Sequence, residues 1–95
     1  MENQAEQLAR EVREATEAKH LTESPAFKRA FAQLETGIID QLRKVGVNDD
    51  AKRNQLVLTL QLLDAVGAAL KQTIETGKLA QIQIEQPSLV KRLFG

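Results

Sequence analysis

Apolar positions in the middle of the chain recur at helical spacing and predict a first long helix. Its stripe follows spacings of three and four and consists of Phe27, Phe31, Leu34, Ile38, Leu42 and Val45. Such a stripe is typical of the buried face of an amphipathic α-helix. Ser24 and Pro25 stand just before it, and these residue types favour the N-cap and the first helical position. We therefore predict a helix over residues 25–45.

A second stripe, an uninterrupted heptad pattern, consists of Leu56, Leu60, Leu63, Gly67, Leu70 and Ile74. The polar residues 48–50 are suited to cap its start, and Gly77 is expected to end it, which predicts a helix over residues 49–76. The intervening connection is short, so the two helices should form an antiparallel hairpin. Further apolar residues widen the second helix's apolar surface: Val57, Leu58, Leu62, Val66 and Ala69. That helix should be central in the monomer or contact another copy of the chain.

The two ends of the chain have weaker patterns. Residues 2–20 are rich in charge and alanine and predict an N-terminal helix with a thin apolar stripe. Residues 80–85 alternate between apolar and polar, which fits a half-buried strand or a helical extension equally well. Beyond Pro87 an amphipathic tail places four apolar side chains on one side: Leu89, Val90, Leu93 and Phe94. The predicted fold is a single all-α domain over residues 1–95, with an N-terminal helix (2–20), a helical hairpin core (24–77), and an extension and tail (78–95).

Composition and charge narrow the classes of function. The 95 residues include 13 basic and 13 acidic side chains, so the formal net charge is zero. A protein that coats DNA with its whole surface normally carries excess positive charge, so this class is disfavoured. No cysteine is present, which excludes disulfides, thiolate metal sites and a cysteine nucleophile. No apolar run approaches the roughly 20 residues of a membrane span, so no membrane partner is expected.

No arrangement of side chains predicts catalysis. The single histidine, His20, falls in a predicted loop without a nucleophile or metal co-ligand at a defined spacing. Asp49 and Asp50 are better explained as helix caps than as a metal site. Nucleotide-binding and zinc-protease motifs are absent from the sequence. We therefore expect a non-enzymatic protein without catalytic residues, metal or cofactor.

Two surfaces remain as candidate binding sites. Basic pairs flank the predicted turn and could form a positive rim for DNA, although only a weak contact is expected: Arg43, Lys44, Lys52 and Arg53. The C-terminal tail has two interpretations that the sequence leaves open. It either covers the apolar face of the hairpin or inserts its apolar residues into a groove on a partner protein.

Residues 24–80 carry a family resemblance. The segments S-P-A-F (24–27) and L-L-D-A-V (62–66), and above all E-T-G-K-L-A (75–80), resemble short helical proteins encoded in the head-assembly and packaging gene clusters of tailed bacteriophages and prophages. The resemblance implies an assembly or virion protein, located in the host cytoplasm during assembly or in the virion. Our leading hypothesis is a protein that forms homo-oligomers through its hairpins and docks on a larger portal, capsid or tail protein. The alternatives are a DNA-packaging component like a terminase small subunit and a small inhibitor of a host protein.

Overall fold

The structure, a computed structural model, describes residues 3–86. They form three α-helices, α1 (Gln4–Glu23), α2 (Pro25–Lys44) and α3 (Asp50–Glu85), and this range contains no strand. The predicted all-α fold class is thereby confirmed. The predicted amphipathic tail, with Leu89, Val90, Leu93 and Phe94, lies outside the described residues.

Each helix begins with a capping side chain. Asn3, Ser24 and Asp49 precede the three helices, and a side-chain oxygen of each accepts a hydrogen bond from the backbone N–H three residues later, at 2.8, 3.3 and 3.2 Å. Such bonds satisfy amide groups that have no partner within the helix. The starts of α2 and α3 therefore agree with prediction to within one residue. Only Ser24 separates α1 from α2, so α1 runs beyond residue 20, where the sequence predicted a loop.

The third helix is longer than predicted. It passes through Gly77 and ends at Glu85, so Gly77 does not terminate it and residues 80–85 are helical rather than a strand. A glycine inside a helix costs about 1 kcal/mol relative to alanine, but Gly77 also allows a neighbouring helix to approach closely. The alternation at residues 80–85 left strand and helix open because so short a segment fits both periods.

The helices pack as two compact units, both of which use α3. In one unit, α2 packs with α3 as far as Ala69; in the other, α1 packs with α3 from Leu70 onwards. Phe31 of α2 lies against Gly67 of α3, where an added Cβ would be 3.7 Å from the Phe31 ring. The two residues lie at similar distances from the turn between the helices, as expected for an antiparallel hairpin.

The helix contacts use small and half-buried side chains. Ala18 and Ala80, both in the unit formed by α1 and α3, are the buried apolar residues among those described. No large side chain in residues 3–86 is fully buried. Within that same range, no helix has a segment both long enough and apolar enough to cross a membrane.

Candidate interaction surfaces

The predicted heptad seam of α3 makes contacts inside the chain. Its six members are all half-buried: Leu56, Leu60, Leu63, Gly67, Leu70 and Ile74. Gly67 faces Phe31 of α2. Ile74 lines a groove together with Val12 and Ala15 of α1. The seam therefore takes part in helix packing within the chain, and the faces left fully exposed lie elsewhere on α3.

Such a face exists on α3 and is exposed to solvent. Leu58, Leu62 and Val66 follow one another at intervals of four residues and are 56%, 60% and 49% exposed. Leu58 and Leu62 belong to a second heptad pattern that we call the outer face of α3, whose six positions are all exposed: Ala51, Gln55, Leu58, Leu62, Ala65 and Ala69. Val66 lies beside this row on the same side of the helix.

Charged residues avoid the outer face. Between residues 51 and 69, α3 has three charged side chains, Lys52, Arg53 and Asp64. At 100° per residue, none of them falls among the six outer positions. The cores of protein–protein interfaces are likewise depleted of charge, because desolvating an ion is costly. The outer face therefore combines exposed leucine with an absence of charge.

The predicted basic rim is partly neutralised. The Arg53 guanidinium donates to an Asp50 carboxylate oxygen at 2.8 Å and to the Gly46 carbonyl oxygen at 2.9 Å. Arg53 thus connects the start of α3 to the beginning of the preceding turn. Its side chain is only 37% exposed, which reduces what it can offer to a ligand.

The remaining rim residues give little positive charge. A guanidinium nitrogen of Arg43 lies 3.9 Å from an Asp40 carboxylate oxygen. Lys44 and Lys52 are exposed. Three acidic residues accompany the four basic residues around the turn: Asp40, Asp49 and Asp50. The turn therefore presents a small net charge rather than a strongly positive surface.

Gly46 does not end α2 in the way that a C-terminal glycine usually does. The helix stops at Lys44, and Val45 follows in an extended conformation with φ −64° and ψ 134°. No glycine in the described part of the chain has a positive φ. The Gly46 carbonyl instead accepts hydrogen bonds from the Asp49 N–H and from Arg53, so side-chain and turn contacts close this connection.

The contact between α1 and α3 is unusually close at one point. A Cβ on Gly77 would overlap the Ala15 Cβ and lie 3.1 Å from the Glu11 carbonyl oxygen. Close backbone approach of this kind requires small residues at the crossing. Ala18 and Ala80, buried in the same unit, meet that requirement. This crossing holds the two helices together.

His20 is exposed on α1 rather than in a loop. Within residues 3–86 there is no group of three or more His, Cys, Asp or Glu side chains placed to hold a metal ion. The outer face of α3 and the partly neutralised turn are the two surfaces on which a function can be argued.

Comparisons with protein-family models, curated proteins and solved structures find no significant match to this chain. Its function must therefore be inferred from its surfaces. Sequence reasoning noted the wide apolar surface of α3 but missed the outer heptad and the role of Arg53. The outer heptad could have been recognised from the positions of the charged residues along α3, since Arg53 and Asp64 both lie outside it. Nothing in the spacing indicates that the Arg53 side chain hydrogen-bonds to the turn before α3.

Proposed function

We propose that this chain is a non-enzymatic assembly protein that self-associates and docks on a larger structural protein of a bacteriophage. The phage context comes from the resemblance of residues 24–80 and implies a protein in the host cytoplasm during assembly or in the virion. The proposed activity is binding, through helix surfaces, without metal or cofactor.

One observation carries the proposal: the exposed, charge-free outer face of α3. Fully burying a leucine or valine side chain is worth about 1.5–3 kcal/mol. Leu58, Leu62 and Val66 retain about half of their surface, so each leaves roughly 1 kcal/mol to be gained by further burial. A face of this kind is typical of a surface that another molecule covers.

The basic turn gives less support to a DNA-packaging role. Arg53 is engaged by Asp50 and Gly46, and Arg43 lies near Asp40. Proteins that bind DNA through phosphate contacts need several available cations, and affinity falls steeply as their number decreases. We accordingly assign nucleic acid at most a weak or indirect part in the function.

The proposal can be tested in bacteria that produce the corresponding phage. A tagged chain should sediment with head or tail precursors when the lysate is separated by size. Leu62→Lys should reduce that association, whereas Leu34→Lys should preserve it, because Leu34 is similarly exposed (57%) but lies on α2. Absence of the wild-type chain from every precursor fraction would contradict a role in assembly.

A further inference from the structure

We infer that the outer face of α3 binds the same face of a second copy, with the two α3 helices antiparallel. This inference rests on the proposed self-association and adds the surface, the direction and the register of the contact. Two features of the described residues support it: the charge of the face and the order of its side chains.

A face without charge is suited to contact itself. In a two-fold symmetric dimer, the same patch meets its own copy, so a patch with a predominant charge would repel itself. The outer face has no charged residue at any of its six positions. Two copies can approach here without like-charge repulsion and without desolvating an ion.

The order of large and small residues is self-complementary when the helices run in opposite directions. Leu58 and Leu62 occupy the first half of the apolar segment, and Ala65 and Ala69 occupy the second. With the two-fold axis between residues 63 and 64, Leu58 faces Ala69 of the second copy and Leu62 faces Ala65 of the second copy. The two central layers then each pair one leucine with one alanine, which permits close interdigitation.

A parallel arrangement loses this complementarity. In parallel and in register, leucine would face leucine and alanine would face alanine. The leucine layers would then hold the two helices apart, and empty space would remain between the alanine layers. Alternation of large and small residues across facing positions is the arrangement that fills an interface. The sequence of α3 therefore favours the antiparallel pair.

The register can be tested with engineered cysteines, because the chain has none of its own. We would prepare Leu58→Cys and Ala69→Cys separately and treat each alone, and their mixture, with a short bismaleimide cross-linker. The inference predicts cross-linked dimer in the mixture and little in either variant alone, since equal positions lie about 16 Å apart along an antiparallel pair. Cross-linking of Leu58→Cys alone would indicate parallel helices, and absence of product in all three samples would also overturn the inference.

A pair of matched substitutions locates the surface independently. Leu62→Lys should convert the dimer to monomer with unchanged helicity, and Leu34→Lys should leave the dimer intact. Interfaces of this small size commonly have micromolar affinity, so masses should be measured up to about 100 µM. A wild-type dimer that Leu62→Lys does not dissociate would overturn this inference but leave self-association standing. A wild-type monomer at every concentration would overturn both.

Discussion

Gly77 of α3 and Ala15 of α1 approach so closely that no side chain fits between them. A Cβ on Gly77 would overlap the Cβ of Ala15, which is fixed to the α1 backbone and cannot rotate away. The two helices must therefore separate to accept even a methyl group. This relationship explains why position 77 of α3 is a glycine despite the low helix propensity of that residue.

Gly77→Ala should destabilise the contact between α1 and α3. Overpacking of a tight contact typically costs about 1–3 kcal/mol, which exceeds the gain in helix propensity of about 1 kcal/mol. Chemical unfolding would measure the change, and hydrogen exchange along α1 would show where it occurs. Ala15→Gly in the same chain should restore part of the loss because it removes the opposing methyl group.

Gly37→Ala provides the matched control for the previous substitution. Gly37 also lies inside a helix, but nothing would contact a Cβ there within 4 Å. The replacement should therefore stabilise the protein by about 0.5–1 kcal/mol through helix propensity alone. Equal effects of the two substitutions on unfolding would show that the close crossing at Gly77 has no energetic consequence.

Arg53→Ala should weaken the connection between α2 and α3. The change removes the hydrogen bonds to Asp50 and to the Gly46 carbonyl, at a cost of about 1 kcal/mol for a partly exposed side chain. Arg53→Lys should recover only part of this, since an ammonium group lacks the planar fork. Lys52→Ala should change the free energy of unfolding by less than about 0.5 kcal/mol. Indistinguishable results for Arg53→Ala and Lys52→Ala would rule out the structural role of Arg53.

Duplex DNA should bind weakly, if it binds at all. With Arg53 and Arg43 near acidic partners, a titration near physiological salt should give no affinity tighter than the ~10⁻⁴–10⁻⁶ M of non-specific association. Lys44→Ala should weaken whatever binding is observed, equally for all sequences. Nanomolar and sequence-dependent binding would favour the packaging hypothesis instead.

Removal of residues 88–95 distinguishes the two interpretations of the C-terminal tail that the sequence leaves open. If Leu89, Val90, Leu93 and Phe94 dock on a partner, the truncation should leave the stability of the isolated protein nearly unchanged and should reduce association with phage precursors. Phe94→Ala should reproduce part of that defect, because an aromatic anchor often contributes much of an interface's energy. A clear decrease in melting temperature on truncation would show that the tail packs on its own chain.

The sequence predicted the helices better than the surfaces between them. Ser24, Pro25 and Asp49 locate two helix starts because capping is a local property of the chain. The end of α3 could not be inferred, since Gly77 reads locally as a stop signal. The presence of Gly77 in the middle of α3 is explained only by the position of Ala15 on another helix. The heptad around Leu60 predicts a seam, but spacing alone does not tell whether a seam meets the same chain or another copy.

The central claim is that this chain acts by self-association, and the mass of the unmodified protein in solution tests it most directly. Sedimentation equilibrium over a wide concentration range should show a rise from 10.6 kDa towards twice that mass, reversible on dilution. High salt should not weaken the association, because the outer face of α3 has no charge to screen. A constant mass of one chain at every concentration would contradict the account.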